Sequence, residues 1–212
     1  MSETKTIVLS SELSESLIQQ VHISACMMNQ IVSHNAKLAG VPVPATRSIH
    51  SIVLENGVGR FCTANRWFGI HRGRQKLCYT NATRLVLSNP DRFIYMEGYG
   101  VRPSLGIVVG EHAWVLDAEN GFAVIDPTWR DTKGSAYLGI PFSSDYLRKQ
   151  IIEHRRYGLL DAPWGRWPVR RLPSAEWLHP KAAELPRDFT VPENMADPTV
   201  ALETINVHSS NG

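Results

Sequence analysis

Two cysteines of the sequence share one local pattern, a cysteine followed three residues later by an asparagine. Cys78 lies in "RGRQKLCYTNATRL" and Cys62 lies in "FCTANRW". A thiol becomes a good nucleophile as the thiolate, which is favoured by a helix N-terminus, a neighbouring histidine or nearby positive charge. A helix is predicted to begin at Cys78, and three basic residues precede it, Arg72, Arg74 and Lys76. These features favour Cys78 as a nucleophile.

A histidine and an aspartate downstream have the spacing to activate this thiol. His112 lies in "GEHAWVLD" and Asp126 in "VIDPTW", two strand-like segments joined by the turn "DAENG". Counting outward from the turn predicts that the two residues lie opposite each other in an antiparallel hairpin. A carboxylate beside an imidazole fixes its tautomer and stabilises the imidazolium. The stretch after Cys62 is not helix-like, so Cys62 is interpreted as a core or loop residue, and Cys26 as a core residue.

The elements that must position these residues follow from the hydrophobic periodicity. Apolar residues recurring every three or four positions predict helices over 12–38, over 78–88 and within "SSDYLRKQIIEHRRYGLL". The period changes to two in "RFIYMEGYGV", "LGIVVGEHAWVLDA" and "GFAVIDPTW", which is typical of strands. "SIHSIVLENG" could be a strand or a short helix. Helices followed by an antiparallel sheet indicate an α+β fold.

The motifs "CYTNA", "YMEGYG" and "HAWVLDAENGFAVIDPTW" occur in this order within about residues 75–140. This order resembles the core of the transglutaminase-like branch of the papain-like cysteine enzyme superfamily. The resemblance implies a papain-like fold in which the helix that bears the nucleophile packs on an antiparallel sheet. It also implies that Cys78 is the nucleophile, His112 the general base and acid, and Asp126 the residue that orients the histidine.

The residues around the nucleophile depart from that family. "RQKL" stands where the family usually has a tryptophan or glycine, so the resemblance does not identify the donors of an oxyanion hole. The backbone N–H of Cys78 is one natural donor. Gln75, Asn81 and Trp114 are further candidates for oxyanion or substrate binding, and their alternatives are a loop residue, a locally bonded helix residue and a core residue. Glu97, between two tyrosines, could be a buried polar group near the site or point to solvent.

Length and composition suit an ordinary globular domain. The chain has 212 residues, 43% apolar and 20% charged, with a formal net charge of +2, which is too small by itself to indicate nucleic acid. Three cysteines without paired or zinc-like spacing indicate a reducing compartment, and we expect no metal and no cofactor. The sequence has no signal-peptide pattern and no apolar run of about 20 residues, so we expect a cytoplasmic protein that does not enter membranes.

We therefore predict a single domain over 1–180, with a helical part (about 1–74) and a catalytic core (about 75–140), and a loosely attached or disordered tail over 181–212. The expected function is cysteine-dependent acyl transfer at amide bonds of a protein or peptide, as a peptidase, amidase, deamidase or transglutaminase. Two alternatives stay open. One is a non-catalytic binding or adaptor protein on the same fold, and the other is a nucleic-acid-binding module that uses the basic segment around Trp164 and Trp167.

Overall fold

The structure is a computed structural model that describes residues 2–40, 48–63, 69–105, 109–160 and 168–196. Its helices and strands alternate irregularly along the chain. They are α1 (Ser2–Leu38), α2 (Ile49–Asn56), β1 (Val58–Phe61), α3 (Cys78–Ser88), β2 (Phe93–Val101), β3 (Gly110–Asp117), β4 (Ala123–Ile125), β5 (Ala136–Phe142), α4 (Ser144–His154), α5 (Pro168–Arg171) and α6 (Glu193–Ala196).

The strands form one antiparallel sheet in the order β1-β5-β2-β3-β4. β2 is buried over its whole length. Because side chains alternate across a strand, Tyr95 and Val115 face a large core that α1, α2, α3 and α4 cover. Met96 and Trp114 face a smaller core on the opposite side of the sheet. The predicted α+β class is confirmed.

The strand predictions need three corrections. The strand predicted from Leu105 begins only at Gly110, because Pro103–Leu105 form a 3-10 turn, and residues 106–108 lie outside the described residues. β4 has three residues rather than the nine of the predicted segment. β1 and β5 were not predicted, since β1 is very short and β5 contains Gly139 and Pro141, which weaken a strand pattern.

The helix predictions agree more closely. α3 has the predicted bounds, with Ala82 and Val86 buried, although Leu77 is exposed because it precedes the first helical turn. α1 begins at Ser2 rather than at residue 12. The ambiguous segment "SIHSIVLENG" is helix α2, and the side chain of Ser48 caps it by accepting a hydrogen bond from the N–H of Ser51.

The segment after residue 181 is attached to the sheet edge. Arg60 on β1 donates a hydrogen bond to the carbonyl oxygen of Pro186 at 2.9 Å, and the carboxylate of Asp188 accepts one from the backbone N–H of Phe61 at 2.7 Å. Leu185 is buried in the smaller core. This packing differs from the loose tail predicted for 181–212, of which residues 197–212 lie outside the described residues.

Gly139 on β5 should be intolerant of a side chain. A Cβ atom there would overlap the ring of Trp114 and lie 2.9 Å from the backbone carbonyl oxygen of Glu97 on the neighbouring strand. We expect Gly139→Ala to lower the free energy of unfolding by about 1–3 kcal/mol, measured by urea denaturation. Gly110→Ala is the matched control, because nothing lies within 4 Å of its Cβ position. Equal stability of the two variants would contradict this packing.

Candidate active site

Cys78 is the first residue of α3 and is partly buried. The preceding Leu77 makes no capping hydrogen bond through its side chain, and the first bond of the helix runs from the N–H of Asn81 to the carbonyl oxygen of Leu77 at 2.8 Å. The first backbone N–H groups of a helix have no partner within it, and together they carry a partial positive charge. The thiol of Cys78 therefore lies where negative charge is stabilised.

His112 on β3 and Asp126 after β4 form a buried pair, with 2.7 Å between His112 Nε2 and Asp126 Oδ2. The predicted register is wrong by two residues. Asp117 pairs with Ala123, because the connection continues through Gly121 and Phe122, which both have positive φ. His112 and Asp126 are consequently diagonal neighbours across the hairpin, a separation that long side chains can bridge.

The carboxylate of Asp126 is held by four donors. Its Oδ1 accepts hydrogen bonds from the backbone N–H groups of Thr128 at 2.8 Å and Trp129 at 2.9 Å. Its Oδ2 accepts one from the hydroxyl of Tyr137 at 3.0 Å in addition to the bond with His112. Burial alone would raise the pKa of Asp126, but the charge and hydrogen bond of His112 and the two N–H groups outweigh it and hold the pKa below its usual value.

The same imidazole and the thiol of Cys78 line one cleft. Burial would lower the pKa of His112, but the charge and hydrogen bond of Asp126 and a side-chain hydrogen bond with Cys78 outweigh it and raise the pKa to about 9. Since Nε2 faces Asp126, the other ring nitrogen, Nδ1, is the one that can face Cys78. The imidazole is therefore mainly protonated at neutral pH and lies between a carboxylate and a thiol.

Aromatic rings hold this imidazole in place. The ring of Trp129 stacks on His112 with 3.9 Å between centroids and 17° between planes, and the guanidinium of Arg102 lies 4.8 Å from the centroid of the Trp129 ring. Trp114, predicted as a candidate for substrate binding, is fully buried with its ring centroid 6.4 Å from that of His112. It supports the histidine from within the smaller core and is not accessible to a substrate.

Cys78 and His112 open into a cleft of about 590 Å³. Its walls carry charges of both signs, contributed by Lys76, Arg102, Arg130, Glu111 and Asp131. Gln75, one of the candidates for oxyanion or substrate binding, is exposed and lines the same cleft. The cleft is therefore open to solvent and has charged side chains in its walls.

Asn81 lies elsewhere. It is buried, and its side-chain amide donates hydrogen bonds to the carbonyl oxygen of Arg74 at 2.7 Å and to the hydroxyl of Thr128 at 2.9 Å. A Cβ atom on Gly73 would overlap this amide, so the loop before α3 passes close against it. Asn81 does not line the cleft and instead ties that loop to the segment that follows Asp126.

The other chemical candidates have different surroundings. No cysteine forms a disulfide, and Cys62 is buried with its thiol 3.3 Å from the hydroxyl of Thr132. Trp164 and Trp167 of the basic segment lie outside the described residues.

In the described part of the chain, no group of three or more histidine, cysteine, aspartate and glutamate side chains could hold a metal ion. No helix among the described residues has the length and apolarity needed to cross a membrane.

Tyr137 and Trp129 are the residues of this site that sequence reasoning missed or undervalued. Tyr137 lies on β5, which was not predicted, so nothing in the sequence connected its hydroxyl to Asp126. Trp129 had a signal, since it follows Asp126 by three residues in "DPTW".

Comparison of the chain with protein-family models, with curated proteins and with solved structures finds no match.

Proposed function

We propose that the chain is a cysteine-dependent acyl-transfer enzyme that acts on amide bonds, with a fold of the transglutaminase-like branch of the papain-like superfamily. One observation carries the proposal. The imidazole of His112 is hydrogen-bonded to the buried carboxylate of Asp126 and lines the same cleft as the thiol of Cys78, which lies at the start of a helix. A nucleophile, a base and a residue that orients the base form the general arrangement of covalent acyl transfer.

The proposed reaction has two steps. The thiolate of Cys78 attacks the carbonyl carbon of the amide, and collapse of the tetrahedral intermediate breaks the C–N bond, while His112 donates its proton to the departing amine. The product of this step is a thioester on Cys78. An acceptor then attacks the thioester, His112 removes a proton from the acceptor, and the thiolate leaves. Asp126 stabilises the imidazolium and does not itself take up the proton.

The first turn of α3 supports stabilisation of the tetrahedral intermediate. The backbone N–H of Cys78, at the first position of α3, has no hydrogen-bond acceptor within the helix. It belongs to the same residue as the attacking sulfur, so it can donate to the carbonyl oxygen that becomes negative during the attack. The side-chain amide of Gln75 is the second proposed donor, because Gln75 lines the same cleft. We favour water as the acceptor, since the charged walls of the cleft admit it, and a peptidase, amidase or deamidase is the corresponding activity.

Alkylation with iodoacetamide at neutral pH tests the proposal without a known substrate. We expect Cys78 to be modified first, because a thiolate reacts and a thiol does not. Cys26 is an internal control, as it is partly exposed and burial raises the pKa of its thiol, and buried Cys62 is a second one. Peptide mapping over time measures the three rates.

The role of the histidine is tested in the same assay. We expect His112→Gln to slow modification of Cys78 by at least about tenfold, because the imidazolium that pairs with the thiolate is lost. His154→Gln, on α4 and outside the cleft, is the matched control and should leave the rate unchanged. Similar rates at all three cysteines, or no effect of His112→Gln, would contradict the proposed activation of Cys78.

A further inference from the structure

A second, smaller cavity of about 150 Å³ adjoins the cleft. Three tyrosines and two glutamates line it, and we call it the tyrosine–glutamate pocket: Tyr79, Tyr99, Tyr157, Glu97 and Glu111. It is next to the proposed nucleophile, because Tyr79 directly follows Cys78 in α3 and Glu111 lines both cavities. The mechanism described above uses none of these side chains.

Glu97 gives the pocket a buried carboxyl group. It is 3% exposed, and its carboxylate accepts hydrogen bonds from the hydroxyl of Tyr95 at 2.9 Å and from the backbone N–H groups of Leu159 at 2.8 Å and Leu160 at 2.9 Å. All of these donors are neutral, and Glu97 has no ion pair with the described residues. Burial, partly offset by these donors, raises the pKa of Glu97 to about 7. A buried carboxylate without a counter-charge is costly, and a cation beside it would remove that cost.

The tyrosine rings are suited to the same kind of ligand. The face of an aromatic ring attracts a cation, and recognition of ammonium groups by several rings is common in proteins. No basic residue of the described chain lines this pocket. Three basic residues line a neighbouring depression instead: Lys76, Arg155 and Arg156. Tyr79 and Tyr157 line both the depression and the pocket, so they form the wall between them. The volume of about 150 Å³ is sufficient for a short aminoalkyl chain.

We propose that the tyrosine–glutamate pocket binds the alkylammonium group of a substrate beside Cys78. The group is the end of a lysine-like side chain of the acyl donor, since an ammonium ion held by a carboxylate has no lone pair with which to attack the thioester. Its identification as part of a substrate rests on the proposed acyl-transfer function, whereas the binding of an ammonium group does not. Glu97 supplies the buried charge, Glu111 supplies a second charge at the boundary with the cleft, and the tyrosines contact the cation and its alkyl chain.

Butylammonium is the probe for a binding test with the full-length protein, followed by NMR or calorimetry. We expect saturable binding, with n-butanol, a neutral molecule of the same size, binding at least about tenfold more weakly. Glu111→Gln and Tyr157→Leu should each weaken butylammonium binding several-fold. Both residues are exposed at the rim, so these variants should fold even if Glu97→Gln does not. Glu184→Gln is the matched control, because this exposed residue does not line the pocket.

Equal binding of butylammonium and n-butanol would overturn the proposal, and so would equal binding by the Glu111→Gln and Glu184→Gln variants. Iodoacetamide labelling of the same samples separates this result from the proposed function. If Cys78 is reactive but butylammonium does not bind, the proposed ammonium site is wrong and the proposed acyl-transfer function stands. If butylammonium binds but Cys78 is unreactive, the ammonium site is supported and the proposed acyl-transfer function is wrong.

The place of the pocket beside Cys78 is tested with two acyl donors, the p-nitrophenyl esters of N-acetyl-lysine and N-acetyl-norleucine. Both esters lose p-nitrophenol when Cys78 attacks, and we expect the lysine ester to acylate Cys78 at least about tenfold faster, because only its side chain carries a charge. Equal rates with the two esters would contradict the place of the pocket beside Cys78.

Discussion

With alanine in place of Cys78, the protein is expected to release no burst of p-nitrophenol from p-nitrophenyl acetate. This activated ester is a suitable substrate, because its good leaving group lets a reactive thiolate form the thioester without much help from specific binding. In the wild-type protein the thiolate of Cys78 should displace p-nitrophenolate and retain the acetyl group. Rapid-mixing absorbance should show a burst of about one equivalent, and acyl-enzyme accumulation of this kind indicates covalent catalysis.

Cys26→Ala is the matched control for this experiment. Cys26 is also partly exposed and lies in a helix, and its thiol is 3.6 Å from Nε2 of His22. The other ring nitrogen of His22 is bonded to the backbone carbonyl oxygen of Met195 and not to a carboxylate, so this histidine lacks the partner that His112 has. The control should therefore retain the full burst. Mass spectrometry should find one acetyl group on the wild-type protein and on Cys26→Ala, and none on Cys78→Ala. A burst that survives the loss of Cys78 would show that another residue is the nucleophile.

Local features of the chain were predictable from the sequence. The bounds of α3 follow from its apolar spacing and from Asn89-Pro90 at its end, so Cys78 was placed correctly at a helix start. The pair of His112 and Asp126 was predicted with the wrong register. The pair forms nevertheless, because a shift of two residues keeps both side chains on the same face of the sheet and within diagonal reach.

Features that depend on distant parts of the chain were not predictable. The position of Glu97 stayed open, because its burial depends on the N–H groups of Leu159 and Leu160, which lie more than 60 positions away. Asn81 was a candidate for the cleft because it lies one turn along α3 from Cys78. Its partners are on two separate loops, at Arg74 and Thr128, and they turn its amide away from the cleft. Hydrophobic periodicity contains no information about such pairings.

Replacement of Asp126 by asparagine should have the second large effect. Four donors point at the carboxylate, and an amide has a single acceptor oxygen and adds donors of its own, so some of the four lose their partner. We expect the free energy of unfolding to fall by about 3 kcal/mol, as for other broken buried ion pairs. We also expect the rate of acyl transfer at neutral pH to fall by up to about 10,000-fold, because the imidazole is no longer held in its orientation and charged form.

The pH dependence of stability separates the loss of this ion pair from a general loosening of the fold. His112 has its pKa raised from 6.5 to about 9, so its pairing with Asp126 stabilises the wild-type protein fully below pH 6.5, and this stabilisation is lost as the pH rises through about 9. Urea denaturation should show that this decrease disappears in Asp126→Asn, and NMR should show the pKa of His112 falling. Asp131→Asn is the matched control, because Asp131 is exposed in the same cleft and its loss should change stability by less than about 0.5 kcal/mol. If both variants kept the wild-type rate and pH dependence, Asp126 would not be the partner that activates His112.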